Sequence, residues 1–142
     1  VLAVVLIPLL DATAVWLPYA CGAAAVVGHV WPVYFNFRGG KGAATLIGAL
    51  LCLVPIAMLP GLVVWVLTLV LTGYVGLATL LGMTAITLFV SISHWPALLA
   101  PAVIFVAIMW LLVMYTHREN IKRLHAGNEN RFERAMLLRR NR

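Results

Sequence analysis

Apolar residues form long runs over most of the chain, and short segments rich in Pro, Gly or polar residues separate these runs. Such runs predict helices, because a helix satisfies its own backbone hydrogen bonds when lipid surrounds it. The predicted helices cover residues 1 to about 13, 15–30, 43–54, 55–71, 74–92 and 96–115. Segment 43–54 rises only about 18 Å, less than a hydrocarbon core of about 30 Å. It is therefore either a half-span or part of a span kinked at Pro55 and Pro60.

The last predicted helix continues past its apolar run. The sequence HRENIKRL, which begins at His117, contains good helix formers, and Gly127 is a suitable C-terminal stop. We therefore expect one continuous helix that leaves the membrane and enters water.

Composition confirms that lipid is the solvent of this chain. Of its 142 residues, 64% are hydrophobic and only 10% are charged, and residues 42–116 include no Asp, Glu, Lys or Arg. A soluble fold with such a stretch would expose one large apolar patch. The sequence therefore predicts an all-α, polytopic integral membrane protein of about five to six short transmembrane or half-spanning helices.

The charged residues lie in two places and predict the orientation. The formal net charge is +6, and eight of the ten Lys and Arg residues lie at or beyond Arg118, whereas the other two are Arg38 and Lys41. Basic residues beside spans mark the cytoplasmic side, so both polar regions should be cytoplasmic, with an even number of crossings between them. This placement argues against nucleic acid as a partner and favours contact with membrane lipids. We divide the chain into a transmembrane domain, 1–116, with a Gly-rich cytoplasmic loop, 36–45, and a basic cytoplasmic segment, 117–142.

Neither the cysteines nor the start of the chain indicates further chemistry. Cys21 and Cys52 lie in separate apolar runs, and we expect neither a disulfide, a metal site nor a cofactor. The chain begins at Val1 inside an apolar run, so we expect the natural protein to extend further upstream.

The glycine-rich loop, RGGKGAAT, is the first candidate site. Its candidate phosphate-binding residues are Arg38, Gly39, Gly40, Lys41, Gly42 and Thr45. Closely spaced glycines let backbone amides converge on an anion, and the helix predicted to start at residue 43 adds a partial positive charge. The alternative is that these small residues only let helices pack closely.

The segment that follows the last span is the second candidate site. His117 and Asn120 are three residues apart and so share a helical face, beside Arg118 and Glu119. Together they offer a proton acceptor, an amide and a cation. His29, shortly before the glycine loop, is a supporting candidate. Two polar clusters on one side of a membrane can form one site, but their spacing alone does not decide whether they do.

Two stretches resemble signatures of a known family. GHVWPVYFNFRGGKGAAT, residues 28–45, resembles the second signature of the PlsY family of bacterial acyl-phosphate:glycerol-3-phosphate acyltransferases, and HRENIKRLHAGNENRF, residues 117–132, resembles its third. The resemblance implies an enzyme of the bacterial inner membrane that transfers a fatty acyl group from a long-chain acyl-phosphate to the 1-hydroxyl of glycerol 3-phosphate. The products would be lysophosphatidic acid and phosphate, at the entry to phospholipid synthesis.

The resemblance also implies residue roles. The glycine loop, Gly39–Gly42, would hold glycerol 3-phosphate, and His117 and Asn120 would belong to the active site, with Glu119 in a structural role. Such chemistry requires two positioned anions, a proton acceptor and positive charge. Two roles remain open for His117, that of the proton acceptor and that of a residue that orients phosphate.

The chain departs from the family in three places. The family's first signature, a Ser-Gly-Asn-rich loop, lies upstream of the residues given. Ala14 stands where a lysine usually follows Asp11, and Thr72 and Gly73 stand where a basic residue often precedes the tyrosine. The alternative function is therefore a non-enzymatic or inactive membrane module that binds lipid phosphate. A transporter is disfavoured, because the predicted spans contain no charged residue.

Overall fold

The computed structural model describes residues 1–6 and 13–136, and all regular secondary structure within them is helical. The helices are α1 (Leu2–Leu6), α2 (Leu17–Val30), α3 (Ala43–Leu53), α4 (Met58–Thr72), α5 (Val75–Ser93), α6 (Pro101–Thr116) and α7 (Arg118–His125). Short 3-10 turns cover Val33–Phe35, Pro55–Ala57 and Glu133–Ala135. The all-helical fold predicted from the apolar runs is confirmed. Asp11, most of the second half of the first predicted helix and the end of the basic segment lie outside the described residues.

Prolines set several helix boundaries. Val54 leaves the helical conformation directly before Pro55, as expected because a proline disfavours helical torsion angles in the residue before it. The chain thus breaks between α3 and α4, and a 3-10 turn joins them. Pro60 lies within the first turn of α4, where its missing N–H costs no intrahelical hydrogen bond.

The start predicted for the sixth helix, at residue 96, is wrong. Residues 96–100 form turns, and α6 begins at Pro101. Ala100 has an extended conformation with ψ 140°, again because a proline follows it, and Pro101 occupies the first turn, where proline is well tolerated. The apolar pattern continued across this boundary and therefore did not reveal it.

The prediction of one continuous last helix is also wrong. The axes of α6 and α7 differ by 57°, and the bend lies at His117. The separate helix α7 ends at His125, and Gly127 follows with φ 71°, as predicted for a C-terminal stop. The bend directs α7 back towards the start of α5, which it contacts.

Within residues 1–6 and 13–136, two segments are long and apolar enough to cross a membrane, Pro55–Thr72 and Val75–Ser93, and a third qualifies if α6 and α7 count as one broken span. The helix α3 is a shorter apolar helix of 11 residues. These helix lengths agree with the prediction of short and half-spanning helices.

Helices α3 to α6 run alternately away from and towards one end of the molecule. The start of α3, the turn at Gly73 between α4 and α5, and the end of α6 meet at that end, which we call the polar end. Hydrogen bonds join the three: Lys41 Nζ donates to Asn120 Oδ1, and the Phe132 amide donates to the Gly73 carbonyl. Helices α3, α4, α5 and α6 thus lie between the two polar regions along the chain.

Glycine allows α4 and α5 to approach each other closely. A Cβ at Gly61 would lie 2.4 Å from Ile86 Cγ1, and a Cβ at Gly82 would lie 3.1 Å from the Gly61 carbonyl oxygen. Beside this crossing, Trp65 Nε1 donates to Thr79 Oγ1 at 3.4 Å. The two helices therefore pack backbone to backbone, as is common between helices in lipid.

The core lies between α2, α3, α5 and α6. Its most deeply buried side chains are Val26, Leu50, Ala78, Val106 and Met109. On the α5–α6 interface, Trp110 Nε1 donates to Thr84 Oγ1 at 2.9 Å, which satisfies a polar group inside the bundle. This packing fixes the end of α6, and with it the position of His117.

We expect Gly61→Ala to lower the thermal stability of the protein in detergent. Its methyl group would overlap Ile86, and overpacking of this kind costs about 1–3 kcal/mol. The matched control is Gly28→Ala on α2, where a Cβ has no neighbour within 4 Å. Thermal unfolding followed by circular dichroism compares the two variants, and equal midpoints would contradict the close crossing of α4 and α5.

Candidate active site

The glycine loop leaves α2 at Val30 and turns sharply. Asn36 and Phe37 have positive φ values of 51° and 59°. The Gly39 amide then donates to the Val30 carbonyl at 3.1 Å. A Cβ at Gly39 would lie 2.0 Å from the His29 carbonyl oxygen, so no other residue fits there without movement of the backbone. Gly39 is therefore required by the tight turn of the loop against the end of α2.

The helix α3 begins behind the loop, where the sequence places it. Gly42 precedes its first residue with φ 76°, a conformation that favours glycine, and no side chain caps the helix start. A Cβ at Gly40 would lie 2.9 Å from His29 Nε2, so His29 lies against the loop. The uncapped start of α3 leaves backbone amides and a partial positive charge beside Lys41.

Lys41 connects the two candidate clusters. Its ammonium group donates a hydrogen bond to Asn120 Oδ1, across 79 positions of sequence. The glycine loop and the His/Asn segment therefore meet in space, which spacing alone did not decide.

A buried carboxylate fixes the orientation of the Asn120 amide. Asn120 Nδ2 donates to Glu129 Oε1 at 2.6 Å, and Arg123 Nε donates to Glu129 Oε2 at 2.7 Å. Because a carboxylate accepts these bonds, the amide nitrogen faces Glu129 and the amide oxygen faces Lys41. Four side chains thus form one chain of hydrogen bonds, from Arg123 through Glu129 and Asn120 to Lys41.

A glycine turn at the end of α7 places Glu129. The Gly127 amide donates to the Leu124 carbonyl at 3.1 Å, and the Asn128 amide donates to the Arg123 carbonyl at 3.0 Å. These two bonds form a Schellman motif, with Gly127 in the left-handed conformation. The chain reverses there and returns along α7, so that Glu129 reaches Asn120.

His117 is buried, with 4% of its surface exposed, and its tautomer follows from its partners. Its Nδ1 lies 3.0 Å from the Val113 carbonyl oxygen, which can only accept a hydrogen bond. The proton of the neutral ring is therefore on Nδ1, and Nε2 carries a free lone pair. The geometry suits a proton acceptor.

The environment of His117 favours its neutral form. The residue follows the last residue of α6, at the bend before α7 and at the polar end of the molecule. Burial lowers the pKa of His117, the hydrogen bond to Val113 opposes this effect, and the nearby charge of Lys41 lowers the pKa further. The imidazole is thus neutral at neutral pH.

Glu129 remains ionised despite its burial. Burial by itself raises the pKa of the Glu129 carboxyl, but hydrogen bonds from Asn120 and Arg123, with the charges of Arg123 and Lys41, outweigh it and lower the pKa. The carboxylate therefore balances one of the positive charges at the polar end.

Two polar cavities adjoin these residues in the described part of the chain. The polar cavity, of about 570 Å³, is lined by Lys41, Ala43, Val75, Gly76, Thr79, His117, Asn120, Arg123, Glu129, Asn130, Arg131 and Phe132. The loop cavity, of about 420 Å³, lies on the other side of Lys41 and is lined by Val30, Trp31, Gly39, Gly40, Lys41, Tyr115, Thr116 and Arg118. Lys41 lines both cavities and therefore stands between them.

An apolar cleft of about 190 Å³ adjoins the polar cavity. It lies between α3 and α4, and α5 forms its base; it shares Ala43 and Thr79 with the polar cavity. Its other lining residues are Leu46, Ile47, Leu50, Met58, Gly61, Leu62, Trp65, Gly82, Met83, Ile86 and Val113. A molecule with a polar head and an aliphatic chain fits such a pair of spaces.

The remaining sequence-predicted residues lie at the margin. Arg38 and His29 are exposed, Thr45 is half-buried, and none of the three lines either cavity. Glu119 is exposed on α7, and its carboxylate accepts a hydrogen bond from Lys122 Nζ at 3.0 Å. Its hydrogen bond and ion pairs are thus with residues of its own helix.

Comparison with known proteins decides the family. The family model described as glycerol-3-phosphate acyltransferase matches residues 1–127. The chain belongs to the glycerol-3-phosphate acyltransferase family. The family resemblance inferred from the two signatures is confirmed.

Relatives and solved structures agree with this assignment. The chain is 42% identical over 120 residues to a glycerol-3-phosphate acyltransferase of Halalkalibacterium halodurans, covering 84% of this chain and 58% of the relative. It is 38% identical over 118 residues to one of Aquifex aeolicus, covering 82% of this chain and 59% of the relative. A crystal structure of PlsY (YgiH), an integral membrane glycerol 3-phosphate acyltransferase in its glycerol 3-phosphate form, superposes with a TM-score of 0.79 at 32% identity. That match covers 88% of this chain and 62% of the solved chain, so the chain spans about three fifths of the length of these relatives.

Several residues of the candidate site were not predicted from the sequence. Glu129 could have been predicted, because it is one of only four acidic residues in the chain and lies in the stretch that resembles the third signature. Arg123 and Arg131 lie in the same stretch, but nothing in their spacing marks them among the other basic residues. Gly76 also gave no signal; a Cβ there would lie 2.8 Å from Asn120 Nδ2, so it admits α7 to the start of α5.

We expect the pKa of His117 to lie below 6.5, because burial and Lys41 both disfavour its charged form. The ring should therefore stay neutral as the pH falls through 6.5 and protonate only at lower pH. NMR of histidine-labelled protein in detergent micelles measures this titration. Lys41→Gln removes the nearby charge and should move the midpoint upwards, and a midpoint above 6.5 in the unmodified protein would contradict the buried geometry.

Proposed function

We propose that the protein transfers a long-chain acyl group from acyl-phosphate to the 1-hydroxyl of glycerol 3-phosphate. The products are lysophosphatidic acid and inorganic phosphate. The observation that carries this proposal is the junction of the polar cavity, where His117 and Lys41 lie, with the apolar cleft. Membership in the family supports the same reaction.

The two kinds of space match the two substrates. An acyl-phosphate has an aliphatic chain, which the apolar cleft accepts, and an anionic head, which enters the polar cavity. Glycerol 3-phosphate is soluble and doubly charged, so it binds where polar groups face water. The backbone around Gly40 and Lys41, the Lys41 ammonium and the start of α3 suit its phosphate, on the loop-cavity side.

His117 accepts the proton of the attacking hydroxyl. Its Nε2 carries the lone pair, because Nδ1 donates to Val113, and its lowered pKa keeps the ring neutral. As the hydroxyl oxygen bonds to the acyl carbon, its proton passes to Nε2. The bond from the acyl carbon to the phosphate oxygen then breaks, and the proton leaves with the phosphate. Because the hydroxyl oxygen attacks the acyl carbon directly, the reaction needs no covalent intermediate on the protein.

Lys41 and Asn120 serve the charged species. The Lys41 ammonium lies between the two cavities and stabilises negative charge that develops between donor and acceptor. Asn120 holds that ammonium, and Glu129 holds Asn120. Because the groups are positioned before the substrates arrive, little reorganisation accompanies the reaction.

We place the protein in the bacterial cytoplasmic membrane, with the polar end towards the cytoplasm. The basic residues of the loop and of α7 gather at one end, as the positive-inside rule requires. The cytoplasm supplies glycerol 3-phosphate from that side, and lipid supplies the fatty chain laterally.

Replacement of His117 by Ala should lower the turnover number by about 10²- to 10⁴-fold, the usual contribution of a general base. The assay follows lysophosphatidic acid formed from palmitoyl-phosphate and labelled glycerol 3-phosphate by purified protein in lipid. Below the pKa of His117 the base is protonated, so the turnover number of the unmodified protein should fall only at pH values under 6.5.

The matched control is His125→Ala, because His125 is exposed at the end of α7 and lines neither cavity. The chain is assayed alone and with the upstream loop of the family restored. If either form makes lysophosphatidic acid, and His117→Ala abolishes this product while His125→Ala does not, the acyltransferase function is supported. If neither form gives product while phosphate still binds, the non-enzymatic membrane module is the better description.

A further inference from the structure

The turn between α2 and α3 exposes large apolar side chains. Tyr34 is 96% exposed and Phe35 is 71% exposed, and Val33 and Phe37 beside them are exposed as well. We call these four residues the apolar loop patch. Within residues 1–6 and 13–136 nothing covers it, and a cluster of this kind marks an interaction surface.

The backbone beneath the patch satisfies its own hydrogen bonds. The amides of Phe35 and Phe37 both donate to the Pro32 carbonyl, at 3.1 and 3.0 Å, and the Arg38 amide donates to the Phe35 carbonyl at 3.0 Å. A backbone with internal partners can enter the headgroup region of a bilayer without losing hydrogen bonds. The fold thus holds the loop in one shape, with its apolar side chains turned outward.

The apolar loop patch continues an exposed stripe on α6. Ile104, Ile108, Leu111 and Tyr115 follow one another at helical spacing on one face of that helix, and all four are exposed. Such a stripe faces lipid in a membrane protein. At the polar end, the centre of the Tyr115 ring lies 6.1 Å from that of the Trp31 ring, two residues before the patch. One apolar surface therefore runs along α6 and on to the loop.

The side chains at this junction have the amphipathic character that suits a membrane interface. The guanidinium carbon of Arg118 lies 4.5 Å from the centre of the Tyr115 ring, and its Nη1 donates to the Tyr115 carbonyl at 3.0 Å. Tyr and Trp rings prefer the level of the lipid headgroups, where their apolar parts are buried and their polar atoms meet water. The contacts of Tyr115 with Trp31 and Arg118 therefore place the loop at that level.

The charges around the patch favour an anionic surface. Arg38 directly follows the patch and is exposed, and residues 12–118 include no Asp or Glu. The Glu119 carboxylate lies 4.0 Å from Arg118 but is already paired with Lys122 at 3.0 Å. Basic side chains close to an anionic leaflet each contribute about 1 kcal/mol to membrane binding.

We propose that the apolar loop patch docks on the anionic surface of the surrounding bilayer. Tyr34 and Phe35 lie among the lipid headgroups, and Arg38 and Arg118 bind lipid phosphates. The loop is then an interfacial anchor. Because Lys41 follows a few residues later, the bilayer fixes the level at which the glycine loop opens to water.

The test places one fluorophore at two exposed positions of the polar end. In the full chain with Cys21→Ala and Cys52→Ala, Tyr34→Cys carries bimane in the patch, and Asn128→Cys carries it after α7 as the matched control. The vesicles contain equal parts of phosphatidylcholine and phosphatidylglycerol, brominated near the carbonyl end of their chains. The bromine should quench the label at position 34 and leave that at position 128 bright, whereas acrylamide in the water should quench mainly the label at position 128.

Two outcomes would overturn the proposal. If acrylamide quenches both labels equally and the brominated lipids quench neither, the loop lies in water. If the label at position 34 is protected from acrylamide but is not quenched by brominated lipid, protein covers the patch, as a further segment or a second copy would. Neither measurement requires enzymatic activity, so the result is independent of the proposed acyl transfer.

The role of the two arginines is tested by moving the bromine from one lipid to the other at constant composition. Brominated phosphatidylglycerol should quench the label at position 34 more than brominated phosphatidylcholine, with a local enrichment of about fivefold for each arginine, from about 1 kcal/mol per basic residue. Arg38→Gln and Arg118→Gln should each lower this preference. Lys122→Gln should leave it unchanged, since that side chain is paired with Glu119 on α7. Equal quenching by the two lipids before these changes would refute the anionic surface.

Discussion

The hydrogen-bond chain from Arg123 through Glu129 and Asn120 to Lys41 holds the polar end of the molecule together. It joins the loop before α3, the helix α7 and the segment after Gly127. Asn120 is only 6% exposed, and an unpaired amide or carboxylate at such a position would be costly. The position of Lys41, the shape of the polar cavity and the separation of the two cavities all depend on these bonds.

The same end of the molecule combines basic side chains with open helix starts. The starts of α3 and α5 lie there, and neither has a side-chain cap. The unbonded amides of each start carry a partial positive charge, which the nearby ends of α4 and α6 offset in part. In a soluble protein Ser, Thr or Asp would usually cap such starts. Here the open amides suit an anionic ligand, and Glu129 is the carboxylate that balances positive charge among the residues lining the polar cavity.

The sequence predicted the helices well where their boundaries coincide with changes in polarity or with glycine. The start of α3 behind Gly42 and the stop at Gly127 are examples, since both glycines have positive φ values. It failed where the apolar pattern ran on across a boundary, as at Pro101, and where the direction of a helix changed without a break in its pattern, as at His117. A hydrophobic run records the lipid environment but not the angle between two helices.

The site was predictable in part for the same reason. Lys41, His117 and Asn120 belong to stretches whose residue types are unusual beside an apolar span, and they were identified. Arg131 and Tyr74 are 57 positions apart, and only the folded chain shows that they touch. The role of Gly76 is likewise invisible in sequence, because it depends on the side chain of a distant helix that occupies the missing Cβ position.

The turn at Gly127 has a consequence for how this region can vary. The carboxylate of Glu129 reaches Asn120 because the intervening residues complete α7 and one left-handed glycine reverses the chain. A residue inserted or deleted between them would rotate or shift the carboxylate away from the amide, even if every individual side chain were retained. Divergent members of this lineage should therefore preserve the number of residues between the asparagine and the glutamate more strictly than the identity of those residues.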